Sequence, residues 1–288
     1  MNLSGSLGAV IEGTGSLGYH LRGLQLDSGA LHTEIQTAQV GASSFFRVAV
    51  NRRCLFTGPE PNGVMAFTLL ESGECNTNGV DVATQRLSSY ATKELHVVHV
   101  GGALRSHLNE QQLRQRLHTI KAHRALDALE STTGIQLSRP QMQDYRRLHH
   151  AALQQHLEES QFIDFITTVL EQDLEDCCEP KNLPLLRSMV ELAHTEAEGE
   201  PLALPEVCRR LNVGKTTLSE HCREAYGMGV MQLFRHVRLE QVRLALLEPS
   251  CCASIEDIRL RYRFSNRARF ANTYRQAFGF LPSETRFH

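Results

Sequence analysis

The spacing of apolar residues changes character once along this chain, near residue 108. Before it, apolar positions come in short runs rich in β-branched and aromatic residues: SFFRVAVNRRCLF at 44–56, GVMAFTLLE at 63–71 and the alternating ELHVVHV at 94–100. Turn residues separate them: Gly41, Gly58-Pro59, Pro61-Asn62-Gly63, Gly73 and Asn78-Gly79. Short strands closed by tight turns predict a small antiparallel β-barrel or sandwich over 19–107, preceded by a flexible Gly/Ser-containing lead at 1–18. Beyond 108, Leu113, Leu117, Ile120, Ala125 and Leu126 recur at helical spacing. A second helical stretch opens at Pro140, runs to about Cys178, and carries Tyr145, Leu148, Leu153, Phe162, Phe165, Ile166 and Leu170 on one side. That side must be buried, either on the barrel or in a subunit interface. Glu179-Pro180 to Pro184 breaks the pattern, so 108–183 reads as a helical linker or dimerisation region and 184–288 as a separate all-α domain. The fold class is α+β.

The all-α part contains one pattern twice, as VCRRLNVGKTTLSEHCREAYG at 207–227 and IRLRYRFSNRARFANTYRQAFG at 258–279. Leu218 and Phe270 are 52 positions apart, as are the closing Gly227 and Gly279. A repeated helix, short turn, helix predicts two helix-turn-helix modules gripping DNA at adjacent places. In the first, Val207, Leu211, Leu218 and Cys222 face inward and Val213 plugs the turn Asn212-Val213-Gly214. The opposite stripe, Thr216, Ser219 and Glu220, is placed to read bases, with Lys215 and Arg223 at phosphates. In the second, Ile258, Phe264, Phe270, Tyr274 and Phe278 anchor the core, while Arg267, Ala268, Ala271 and Asn272 form the reading stripe. Arg suits guanine, Asn adenine, and Ala the thymine methyl. Arg269 and Arg275, together with Arg259, Arg261 and Arg263, are expected at phosphates. The apolar-periodic stretch 230–248 between the modules would extend roughly 28 Å as a helix, enough to present two helices to successive major grooves about 34 Å apart.

Charge supports this division. Residues 201–288 carry 14 Lys/Arg against 8 Asp/Glu, a net of +6, while the first 200 residues carry a net of −8. One half is suited to a polyanion and the other is not. No apolar run is long enough to cross a bilayer, and the N-terminus has no secretory pattern, so a cytoplasmic protein is expected. The eight cysteines include no Cys-x-x-Cys pair; free thiols are expected, with a redox role at Cys177-Cys178 or Cys251-Cys252 as the alternative.

Over 202–287 the sequence resembles the DNA-binding domain of the AraC/XylS family of bacterial transcription regulators. The likeness is carried by Arg238-Leu239, Ile258, Phe264, Phe270 and the closing FGFLPSETR with Phe278, Gly279, Pro282 and Arg286. The resemblance implies seven helices, two helix-turn-helix units, and control of transcription, usually activation through RNA polymerase. It also implies base-facing positions at Thr216, Ser219, Glu220, Arg267, Ala268, Ala271 and Asn272. Two positions depart from the family: Arg259 stands where a small residue is usual, and Arg263 where glycine is usual. These either distort the second module or add phosphate contacts. The N-terminal half more weakly resembles the sensor half of regulators akin to the ethanolamine-operon activator, through 44–70 and NGVDVATQRL at 78–87. That likeness implies a small-molecule effector and a homodimer.

Other chemistries find little support. A cupin-like barrel can hold a metal, but His96 and His99 are an odd number apart and point to opposite faces of a strand, so satisfied strand histidines are expected rather than ligands. His149, His150 and His156 are expected to face solvent. No phosphate loop, G-x-S-x-G or H-E-x-x-H is present, so no enzyme and no cofactor are expected. For a charged effector, Arg47, Arg52 and Arg53 are the candidates. The rival to a DNA-reading regulator is one acting mainly through protein partners, with weakened reading in the second module.

Overall fold

The N-terminal half forms one antiparallel sheet whose long strands carry continuous buried runs. The strands are β1 (Asn2–Gly5), β2 (Arg22–Gln25), β3 (Thr33–Val40), β4 (Ser43–Pro59), β5 (Val64–Thr77), β6 (Val80–Asp81), β7 (Arg86–Ser89), β8 (Glu94–Asn109), β9 (Thr133–Gln136) and β10 (Glu175–Asp176). Their order is β1-β3-β4-β8-β5-β7-β9-β10, with β2 on β4 and β6 on β5. The computed structural model describes residues 2–89, 94–120, 122, 125–126, 133–171, 175–176, 180–248 and 253–285. Cys177, Cys178, Pro249, Cys251, Cys252 and Arg286 lie outside the described residues.

In the long antiparallel β5–β8 pair, Gly73 stands opposite Gly101, next to a register shift between Leu70 and Ser72. Both glycines are left-handed (φ 80° and 100°). A Cβ on either would sit about 2 Å from the opposite strand's carbonyl oxygen, so only glycine lets the backbones approach this closely.

Residues 2–18 are not a flexible lead. Asn2–Gly5 pairs with β3, and Leu7–Gly15 forms helix α1, with Leu7 and Val10 buried. Three further helices pack on the sheet: α2 (Glu110–Thr119), α3 (Arg139–Leu153) and α4 (Glu159–Leu170). Ser138 and Gln141 form a capping box that starts α3 with Pro140 in its first turn. Residues 139–170 thus form a helix pair, broken where Gln155 turns left-handed (φ 60°), and Glu175–Asp176 beyond it is strand rather than helix. Its apolar side is spent on the sheet: Tyr145, Phe162 and Ile166 pack with Phe45, Phe67 and Leu104 in one core. Phe45 and Phe162 meet edge to face at 4.8 Å. Each such ring contributes about 1.5–3 kcal/mol by leaving water. Of the two expected uses of this side, packing on the sheet is the one adopted.

The chain divides into two compact units: residues 1–23, 32–51 and 55–180, and residues 24–31, 52–54 and 181–288. The second holds α5 (Leu183–Thr195), α6 (Leu204–Arg210), α7 (Lys215–Tyr226), α8 (Val230–Leu247), α9 (Ile255–Arg261), α10 (Arg267–Phe278) and α11 (Pro282–Thr285), seven helices among the described residues. One hydrophobic cluster of this unit joins Leu239, Val242 and Leu246 of α8 to Ile258, Phe270 and Tyr274.

Candidate nucleic-acid interface and a buried cavity

The two modules are built alike. Helix α6 precedes α7, and α9 precedes α10, each pair joined by a turn with one left-handed residue, Asn212 (φ 49°) or Arg263 (φ 60°). Each second helix ends on a left-handed glycine, Gly227 (φ 70°) or Gly279 (φ 87°). Over the first ten positions of α7 and α10 the order of exposed, intermediate and buried residues is identical. Leu218 and Cys222 sink into the first module as Phe270 and Tyr274 sink into the second. Burial raises the Cys222 thiol to about 12, so it packs as an apolar group. The turns differ by one residue: Asn212 stands three positions before Lys215, whereas Arg263 stands four before Arg267. The helix starts differ too, because Asn266 accepts from the Arg269 amide at 2.8 Å whereas Gly214 offers no side chain.

The outer faces carry the expected residues. Thr216, Glu220, Arg267, Ala268 and Asn272 are exposed, and Ser219 and Ala271 half-buried. Lys215, Arg223, Arg267, Arg269 and Arg275 are exposed on α7 and α10, and none belongs to an ion pair among the described residues. Glu220 likewise has no such pair.

Several other arginines of the domain are engaged within it. Arg259, one of the two departures from the family pattern, is buried and bonds Glu256 through Nε at 3.0 Å. Arg263, the other, keeps the left-handed turn and reaches Glu200 at 3.4 Å. Arg261 pairs with Glu198 (2.7 Å) and Arg210 with Glu196 (2.5 Å). One short acidic segment, 196–200, therefore serves arginines of both modules. Arg209 and Arg210 also grip Glu206, holding its carboxyl down to about 2. The second module is thus undistorted, and Arg259, Arg261 and Arg263 are engaged by carboxylates rather than presented as free phosphate contacts. Within α8, Glu240 and Arg243 form a buried pair (2.6 Å), with the guanidinium 5.8 Å from the Phe278 ring centre.

The N-terminal unit contains a cavity of about 70 Å³, walled mainly by Val10, Leu21, Phe46, Phe56, Leu95 and Val97. At one end Arg105 pairs with Glu60 and donates to Thr68 (2.9 Å) and the Tyr19 hydroxyl (3.1 Å). Tyr19 lies 2.5 Å from His107 Nε2, and Ser44 lies 3.0 Å from His107 Nδ1. Burial and the Arg105 charge push His107 well below its usual pKa. His149 does not face solvent: it is fully buried, its Nε2–H donates to the Arg105 carbonyl at 3.1 Å, and burial lowers its pKa to about 4. His99 lies on the cavity wall with Leu95 and Val97, so His96 points to the other face, as strand alternation requires. His99 is not a satisfied strand histidine, since neither ring nitrogen completes a hydrogen bond. Arg47, Arg52 and Arg53 do not line this cavity. Arg47 bonds Glu71 at 2.7 Å, while Arg52 and Arg53 belong to the second unit, where Arg53 grips Asp27 at 2.8 and 2.9 Å.

Three features escaped sequence reasoning. The acidic segment 196–200 had no periodicity to betray its partners, and the Arg105–Glu60 pair joins β8 to the residue just after β4, 45 positions away. His99 was expected to be a satisfied strand histidine, and nothing in the sequence marks its ring nitrogens as unpaired.

Comparison with known proteins places the C-terminal region. A family model described as a helix-turn-helix domain matches residues 207–287. The probable thc operon regulatory protein of Rhodococcus erythropolis is 32% identical over 110 residues, covering 37% of this chain and 32% of that protein. The XylDLEGF operon transcriptional activator of Pseudomonas putida is 48% identical over 52 residues, covering 18% of this chain and 16% of that one. Among solved structures, a transcriptional regulator of the AraC-type DNA-binding-domain-containing class from Chromobacterium violaceum is 29% identical, with a TM-score of 0.34 over 36% of this chain and 90% of the other. This chain spans about a third or less of the length of these two curated relatives. Residues 207–287 match a helix-turn-helix domain family.

Proposed function

We propose that this protein is a sequence-specific DNA-binding regulator of transcription, an activator that answers to a small-molecule effector. The observation that carries the DNA-binding reading is the sorting of cations. Among the described residues, Lys215, Arg223, Arg267, Arg269 and Arg275 on the two second helices are left without ion pairs, while Arg209, Arg210, Arg243, Arg259, Arg261 and Arg263 are paired with carboxylates and Arg238 with backbone carbonyls. In this reading α7 and α10 enter major grooves, Arg267 and Asn272 read guanine and adenine, and Glu220 accepts from a cytosine amino group. Lys215, Arg223, Arg269 and Arg275 hold phosphates. The effector is placed in the N-terminal cavity, a reading supported by the unpaired His99 nitrogens at its wall. If the protein works as a homodimer, a surface other than the apolar side of α3 and α4 must form the interface, since that side is covered by the sheet. The burial of Arg259 against Glu256 favours the rival, a regulator working through protein partners, but the intact outer face of α10 weighs against it.

The test is binding of the full chain to promoter duplex against random duplex across a salt series. Four phosphate cations per chain give a log–log slope of about −3.6. Arg223→Ala should weaken all sequences alike and flatten the slope by about one, whereas Arg267→Ala should change base preference in a selection of bound sequences. Binding with no preference over random duplex, or the same selected sequences from both variants, would reject the proposal.

A further inference from the structure

We infer that the cavity of the N-terminal unit takes a small uncharged molecule, an apolar group of a few heavy atoms bearing one hydroxyl or carbonyl, and that the His99 imidazole orients it. This rests on the effector reading of that unit and adds the chemistry of the ligand.

Charge decides first. Among the residues lining the cavity, Arg105 alone carries a formal charge, and Glu60 already neutralises it. Its guanidinium also donates to Thr68 and Tyr19. An anion entering here must displace Glu60 or be buried without a counterion, and an ammonium finds no carboxylate in the wall. Both are penalised by desolvation, so neither a carboxylate nor an amine suits the site.

The neutral polar group is His99. It is 3% exposed, and neither Nδ1 nor Nε2 has a hydrogen-bond partner. Burial lowers its pKa to about 4, offset only in part by the Glu74 and Gly101 backbone, which lies near the ring without completing a hydrogen bond of good geometry. At neutral pH the ring therefore presents one N–H and one bare nitrogen, the complement of a hydroxyl or, through the N–H alone, of a carbonyl. Leaving these atoms unpaired costs stability, which calls for a group that completes them. The nearby hydroxyl of Thr14 is already bonded to the Val10 carbonyl (2.8 Å), and Thr77 sits against Cys75. Burial raises the Cys75 thiol to about 11, which argues against a covalent adduct.

Size follows from the volume. A dry cavity of about 150 Å³ holds benzene, so 70 Å³ admits about three or four heavy atoms.

The experiment uses full-length protein with ¹⁵N-labelled histidine rings at neutral pH, titrated separately with propan-1-ol, acetone, propionate and propylammonium. Propan-1-ol or acetone should shift the His99 ring signals saturably, while propionate and propylammonium leave them in place. His99→Phe should weaken propan-1-ol binding by about tenfold while raising the melting temperature, because it removes the orphaned nitrogens. Tighter binding of propionate or propylammonium would overturn the ligand class while leaving the effector site standing. Unweakened propan-1-ol binding by His99→Phe would overturn the role of His99. If none of the four probes moves the ring and only water exchanges with it, the cavity is not a ligand site and the effector reading falls with it. The wild-type titration needs no variant, so a variant that misfolds leaves the test intact.

Discussion

Replacing Arg263 by glycine and, separately, by alanine isolates the backbone of the second module's turn. The residue is left-handed (φ 60°) immediately after the Tyr262 cap of α9, and the turn is closed by the Phe264 amide donating to the Arg259 carbonyl at 3.0 Å. A side chain with a Cβ costs roughly 1–2 kcal/mol in that conformation. Glycine removes this strain but makes the unfolded chain freer, which takes back about 0.4–1 kcal/mol. Both variants lose the ion pair to Glu200, whose partners are 49% and 80% exposed, so that loss is small and cancels in the comparison. Glycine should therefore exceed alanine by about 0.5–1 kcal/mol, a difference of roughly 4 °C in the melting of the C-terminal unit. Calorimetry of the full chain, following the transition reported by amides of α9 and α10, measures it. Alanine equal to or more stable than glycine would mean that the turn is not left-handed in solution, and the undistorted second module would lose its support.

Three further expectations concern stability. His99, His107 and His149 are buried and neutral, with pKa values below 6.5, so the unfolded chain takes up protons first. Stability of the N-terminal unit should be full above about pH 6.5 and fall between there and about 4, by up to about 4 kcal/mol per pH unit; a urea midpoint unchanged from pH 7 to 5 would refute this. Glu240→Ala should destabilise the C-terminal unit by about 3–5 kcal/mol, because it leaves the Arg243 charge buried and unpaired; a loss under about 1 kcal/mol in urea unfolding would show the pair to be solvated. Gly214→Ser should stabilise α7 by a few tenths of a kcal/mol by supplying the missing cap, and its Cβ would meet nothing closer than 3.9 Å; lower α7 amide protection in hydrogen exchange would contradict it.

The parts legible in the sequence were those that repeat or alternate. The 3.6-residue stripe of α7 and α10 placed Leu218, Cys222, Phe270 and Tyr274 inside and the reading positions outside, because one face of an amphipathic helix has only one place to go. Strand alternation placed His96 and His99 on opposite faces for the same kind of reason. What could not be read were partners chosen by tertiary proximity. Arg259, Arg261 and Arg263 looked like phosphate ligands by composition, but whether an arginine is free depends on which carboxylate lies within 4 Å, and Glu198 is 63 residues from Arg261. His149 looked like one of a solvent-facing histidine cluster, yet its helix turns it onto Phe45. The Gly/Ser content of 1–18 suggested a loose lead, and it was pairing with β3 that ordered it.

The extra residue in the second turn makes the two modules non-interchangeable in a simple register. The left-handed residues Asn212 and Arg263 are 51 positions apart, as are the buried Val207 and Ile258, whereas the buried Leu218 and Phe270 are 52 apart. A chimaera that transplants the whole first module at a uniform offset of 52 would seat Val207 at the place of Arg259, turning the upstream helix by about 100° about its axis. A graft of one recognition helix onto the other scaffold must therefore cross over between the turn residue and the first helical residue. Natural recombination between the two halves of such a gene would meet the same constraint.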